Sequence, residues 1–165
     1  IMFCGGNSVN NTFRYNISQN EDMGPLDPAG NSGNCQVYNN TFYIKEGLNT
    51  IWHRSHGNGG PVDMENNIFY FAGNTPVNVK EWNPSGNKTY SNNLYYKELS
   101  EDAAPVKVNA GTKVLENAGS GPDSVATDKA ARKHEDPTKE TVFDGYKLAE
   151  KSPAINKGKV VVDRN

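Results

Sequence analysis

Asp63 and Glu65 are the two carboxylates whose spacing most directly suggests chemistry. They are separated by one residue inside the β-type run Val62-Asp63-Met64-Glu65, and alternate residues of a strand share a face. Two carboxylates facing a groove can act as acid and base, or acid and nucleophile, on a glycosidic bond, their separation setting the roles. A solvated strand face with neighbouring acids is the alternative. Glu21 and Asp22 form a second acidic pair, in the Gly- and Pro-rich stretch from Gln19 to Gly33. Loops on a rigid scaffold often carry function, although an acidic loop can also be simply hydrated.

The stretch from Lys45 to Pro61 gathers Trp52, His53, Arg54 and His56. An indole can stack on the apolar face of a sugar, a guanidinium can clamp a carboxylate or hydroxyls, and imidazoles exchange protons near neutral pH. Trp82 offers a further ring, for packing or for a sugar. His53 and His56 lack a third partner for a metal, and the acidic residues follow no calcium-loop spacing, so neither metal nor cofactor is expected. Elimination chemistry on a uronate would need Lys or Arg beside the carboxylates. Arg14, Lys45 and Arg54 supply only the residue types, which places hydrolysis ahead of elimination.

The elements that must position these groups repeat. Tyr38-Asn39-Asn40-Thr41-Phe42-Tyr43 has counterparts in Arg14-Tyr15-Asn16-Ile17-Ser18, Glu65-Asn66-Asn67-Ile68-Phe69-Tyr70 and Ser91-Asn92-Asn93-Leu94-Tyr95-Tyr96. With Asn16, Asn39, Asn66 and Asn92 taken as equivalent, the steps are 39−16=23, 66−39=27 and 92−66=26 residues. Periods in this range mark repeat architectures. Each unit is a short β-branched and aromatic run between turn formers, and none has helical spacing. The expected fold is all-β: one strand per turn of a coil, stacked in parallel, with Asn side chains bonding along the stack.

These units, with the tail Gly145-Tyr146-Lys147-Leu148-Ala149-Glu150-Lys151-Ser152-Pro153-Ala154-Ile155-Asn156-Lys157-Gly158, resemble the right-handed parallel β-helix (pectate-lyase-like) family of secreted bacterial carbohydrate-active proteins. The resemblance implies a carbohydrate partner, a secreted or cell-surface location, and a groove walled by loops that leave the strands. Hydrolases, lyases and non-catalytic adhesins share such repeats. Glycoside hydrolysis is therefore the leading expectation, with a polysaccharide lyase and a non-catalytic glycan-binding or structural segment as alternatives.

Domain organisation is expected to be one β-helix segment over 1–165. Regular rungs span 1–99, an irregular rung and long loop 100–141, and a C-terminal rung or tail 142–165, with Val160-Val161-Val162 offering a strand to an edge. The apolar start Ile1-Met2-Phe3-Cys4 suggests a piece of a longer coil, whose remaining rungs would be its partners. A net charge of −2 leaves no electrostatic footprint for nucleic acid. No apolar run approaches the roughly 20 residues of a membrane span. Cys4 and Cys35 are expected as buried thiols, with a disulfide between them as the alternative.

Overall fold

The computed structural model describes residues 2–3, 9–19, 27–28, 33–46, 61–72, 88–96, 106–108, 112–116 and 144–164. Ten short strands are found among them. They are β1 (Met2–Phe3), β2 (Thr12–Arg14), β3 (Ile17–Gln19), β4 (Asp27–Pro28), β5 (Cys35–Tyr38), β6 (Thr41–Ile44), β7 (Val62–Glu65), β8 (Ile68–Phe71), β9 (Lys88–Ser91) and β10 (Leu94–Tyr96). Every strand pairing is parallel. One four-stranded sheet has the order β2-β5-β7-β9, the other β3-β6-β8-β10, and β1 pairs with β4. Apart from β1 and β4, the strands alternate between the two larger sheets along the chain, so each circuit adds one strand to both. The fold is an all-β parallel β-helix. No helix among the described residues is long and apolar enough to cross a membrane.

Each circuit thus carries two strands in these sheets, where the sequence suggests one. The Asn-Asn motif is the corner between them. Tyr15, Asn39, Asn66 and Asn92 hold its first position with φ of 57°, 54°, 54° and 57°, the left-handed region that Asn tolerates better than most residues. Asn16, Asn40, Asn67 and Asn93 hold its second. The strand register confirms this alignment, pairing Ile17 with Thr41, Thr41 with Ile68 and Ile68 with Leu94. The first step is therefore 40−16=24 rather than 23 residues, because Tyr15 and not Asn16 stands where Asn39 stands. The later steps of 27 and 26 hold.

The second-position amides form the ladder. Asn40 donates from its backbone N–H and its Nδ2 to Asn67 Oδ1, both at 3.0 Å. Asn67 donates likewise to Asn93 Oδ1, both at 2.9 Å. The free amide hydrogens reach main-chain carbonyls, Asn67 Nδ2 bonding Val37 O at 2.8 Å and Asn93 Nδ2 bonding Met64 O at 2.9 Å. Asn40, Asn67 and Asn93 are fully buried, and hydrogen bonding removes the penalty that an unpaired amide would carry there.

Strand alternation then fills the coil. Phe42, Phe69 and Tyr95 stack in line, with centroids 4.9 and 5.2 Å apart. Phe13, Val37, Met64 and Tyr90 occupy one register column of the opposite sheet and pack into the same core. Cys35 is a buried free thiol, while Cys4 lies outside the described residues.

Beyond β10, Val106 bridges in parallel to Leu94 and Leu115 bridges in antiparallel to Leu148. With Val108, Val114, Tyr146 and Ala154 they cover the outside of the second sheet. Asp144–Tyr146 forms a 3₁₀ turn. A turn around Pro153-Ala154-Ile155 is closed by Ile155 N–H to Ser152 O at 3.1 Å and Lys157 N–H to Ala154 O at 3.2 Å. Val160-Val161-Val162 makes no strand. It belongs to an extended tail laid over the first sheet.

Candidate functional site

The first sheet turns two polar columns outward. On β7, Val62 and Met64 are buried while Asp63 and Glu65 are partly exposed, so the pair does share a face. Register aligns Thr12, Gln36, Asp63 and Thr89 in one column and Arg14, Tyr38, Glu65 and Ser91 in the other. Parallel stacking is the reason. Residues 24 to 27 apart in sequence come to lie side by side, so distant polar residues form one surface.

Residues 157–164 cross this surface as a strap. Asn92 Nδ2 donates to Lys157 O at 2.6 Å. Asn66 exchanges two bonds with Lys159, donating from Nδ2 to its carbonyl at 2.8 Å and accepting its N–H at 3.0 Å. Gln36 does the same further along, donating to Val162 O at 3.0 Å and accepting from Arg164 N–H at 2.9 Å. The strap therefore docks on side-chain amides, whose donor and acceptor pair reads a backbone as a neighbouring strand would.

Its charged side chains complete the contact. Lys159 pairs with Glu65, and Arg164 pairs with Asp63. Asp63 also accepts from Thr89 Oγ1, and Glu65 accepts from Ser91 Oγ at 3.2 Å. Asp163 pairs with Arg14 and accepts from Thr12 Oγ1 at 3.2 Å and from the Tyr38 hydroxyl at 3.4 Å. The hydrogen bond from Arg14 to Tyr38, and next the charge of Asp163, push the already high guanidinium pKa further up.

A cavity of about 250 Å³ opens at the Asn corner, between the two sheets' outer coverings. Asn39, Asn66 and Asn92 line one side, and Tyr146, Leu148 and Lys157 the other. Two of these amides are bonded to the strap, Asn66 to Lys159 and Asn92 to Lys157.

On the second sheet, Tyr43, Tyr70 and Tyr96 stack outward, with centroids 5.7 and 4.2 Å apart. Tyr146 meets Tyr43 edge to face at 6.0 Å. Burial, and next the neighbouring Tyr96, push Tyr70 up to about 12, and burial also raises Tyr43. An unfolded tyrosine ionises near pH 10. The folded chain keeps protons that the unfolded chain releases between about pH 10 and 12, so this contribution to stability is whole below pH 10 and is lost as pH rises through that window. Urea midpoints measured from pH 9 to 12 are expected to fall, and Tyr70→Phe is expected to flatten the fall.

Of the residues singled out from sequence, Asp63 and Glu65 lie on this described surface. Glu21, Asp22, Trp52, His53, Arg54, His56 and Trp82 lie outside the described residues. Among the described residues, no three His, Cys, Asp or Glu side chains gather as metal ligands. Sequence reading passed over Lys159, Asp163 and Arg164. The available signal was the tail's charged residues flanking Val160-Val161-Val162, which suits a chain lying on a polar surface better than one joining a sheet.

No protein-family model matches the chain. It is 37% identical over 171 aligned positions to a lacto-N-biosidase of Bifidobacterium longum subsp. longum, an alignment that covers 100% of this chain and 10% of that protein. The chain thus spans about a tenth of the length of this relative.

Proposed function

We propose that the chain is a β-helix segment of a secreted or cell-surface glycoside hydrolase acting on an oligo- or polysaccharide. The observation that carries this reading is the similarity to a lacto-N-biosidase along the whole chain, since that name denotes hydrolysis of a glycosidic bond. The architecture supports it. A parallel β-helix aligns polar side chains in rows on a rigid face, as an extended glycan requires, and the corner cavity adds amides beside a tyrosine.

In this reading Asp63 and Glu65 are the described carboxylates available for acid and base roles. Alternate residues of a strand sit about 7 Å apart, a spacing that leaves room for a water between carboxyl groups. Glu21 and Asp22 are the further acidic candidates, and Trp52, His53, Arg54, His56 and Trp82 the sugar contacts. Asp63→Asn and Glu65→Gln, made in a hydrolytically active protein containing this chain, are each expected to lower kcat about 10²–10⁴-fold with little change in KM.

A specific observation favours a second reading. Each of the two carboxylates is already paired with a cation of the strap, so their work would be to hold it, in a glycan-binding or structural segment. Unchanged kcat in both variants, with a small loss of thermal stability, would establish that reading in place of the catalytic one.

A further inference from the structure

We propose that Thr12, Arg14, Tyr15 and Tyr38 form a subsite for a carboxylate-bearing sugar, whose place the strap's own Asp163 takes in this structure. The inference rests on the carbohydrate reading above and adds to it a ligand class and a location.

The first observation is a carboxylate already seated. Asp163 receives a guanidinium, a threonine hydroxyl and a phenol from three aligned positions on two adjacent strands. Arg14 in turn donates to the Tyr38 hydroxyl at 2.8 Å, so guanidinium and phenol are held in fixed relation whether or not Asp163 is present. Charge-assisted bonds from Arg to an anionic oxygen are the strong, geometrically selective kind.

The second observation is independent of the strap. Tyr15 occupies the corner position that Asn39, Asn66 and Asn92 occupy in the other circuits, at φ 57°. A bulky side chain is strained there, and Asn would relieve it. Burial offers no compensation, because Tyr15 is 69% exposed. Its ring lies edge-on to Tyr38 at 6.0 Å, with the Arg14 guanidinium 5.7 Å from its centroid. Strain retained at one position of a repeat points to function. An exposed ring beside a carboxylate seat has the form needed to stack on a pyranose while its acid group meets Arg14.

Asp163 is the part of the strap that can be exchanged. Val160 is 91% and Val162 75% exposed, so these residues bury little apolar surface, and the Arg14–Asp163 pair is partly open to water, 45% and 29% exposed, so a ligand carboxylate can take over the same bonds. Because the strap belongs to the same chain, Asp163 competes at a high effective concentration. Removing its carboxylate side chain, as in Asp163→Ala, while leaving the backbone bonds of Val162 and Arg164 should therefore open the seat.

The test is calorimetric titration of the full chain and three variants with a glucuronate-containing trisaccharide, a sialic-acid-containing trisaccharide and a neutral trisaccharide. Melting temperatures are recorded alongside. At least one acidic sugar is expected to bind more tightly than the neutral one, and about tenfold more tightly still to Asp163→Ala. Arg14→Gln should cost tenfold or more. Tyr15→Asn should weaken acidic-sugar binding about tenfold while raising the melting temperature by roughly 2–4 °C, a combination that a merely structural tyrosine would not give. The glucuronate and sialate arms distinguish the two sources of the carboxylate.

Neutral and acidic sugars binding alike in all variants would overturn the subsite and leave the carbohydrate reading standing. No binding of any trisaccharide to any variant would overturn the subsite and count against that reading as well. A free peptide of residues 157–164 binding Asp163→Ala, where neither acidic sugar does, would reassign the seat to acidic peptides and also overturn the proposal.

Discussion

Asn67→Ala is expected to destabilise the chain by about 2–6 kcal/mol, since two buried polar groups lose their side-chain partner and each costs roughly 1–3 kcal/mol. Asn67 is 1% exposed and sits in the middle of the ladder. Its removal strips the acceptor from the Asn40 backbone N–H and the side-chain donor from Val37 O. Asn40 Nδ2 keeps Phe13 O and Tyr38 O, and Asn93 Oδ1 keeps the residue-67 N–H. A loss of this size is comparable with the roughly 5–15 kcal/mol that holds a typical domain together, so the variant is expected to be largely unfolded or to melt far below the parent. Urea titration followed by circular dichroism measures it. A shift under about 1 kcal/mol, within the usual range for an exposed polar substitution, would mean that the amide column does not carry the coil.

Phe69→Ala is the second large effect, expected at about 3–5 kcal/mol from lost transfer free energy and the cavity left behind. Phe69 is 0% exposed and stacked on both sides, against Phe42 with rings 6° from parallel and against Tyr95 at 14°. Each aromatic pair adds roughly 0.5–1.5 kcal/mol beyond the area buried, and this substitution breaks two. Because the stack runs along the coil axis, it links consecutive circuits rather than bracing one. The denaturant slope should therefore fall along with the midpoint if the circuits on either side lose their cooperativity. A fall in midpoint with an unchanged slope would indicate that the coil still melts as one unit.

The coil was legible because its local chemistry repeats. Short aromatic and β-branched runs separated by Asn pairs fix strand, corner and period together. The same reliance on residue identity produced the one-residue error in the first circuit. Aligning Asn16 with Asn39 ignored that a tyrosine could take the left-handed corner, a place that L side chains of its size rarely enter. The common face of Asp63 and Glu65 followed from the period of a strand. What meets that face did not, because the partners lie far along the chain. Asn66 finds Lys159 across 93 residues, and Thr12 finds Asp163 across 151. The three valines drew the reading toward a strand, although the flanking charges and the backbone make the contact. The apolar run suggested a strand at a sheet edge, yet the tail lies across a sheet face, where Gln36 and Asn66 side chains substitute for a strand partner.

If this coil serves the cleavage of a glycosidic bond, the release of reducing ends reports it. The chain, and a longer protein that contains it, would be incubated with neutral, amino-sugar and acidic oligosaccharides, and unsaturated products would be followed by their absorbance in parallel. New reducing ends without unsaturated product are expected on at least one glycan, in the longer protein if not in the chain alone, and they are expected to be lost on Asp63→Asn or Glu65→Gln. Unsaturated product appearing with the reducing ends would mean elimination and contradict hydrolysis. Glycan binding with no cleavage by either protein would contradict the enzymatic claim and leave a coil that binds sugar without cutting it.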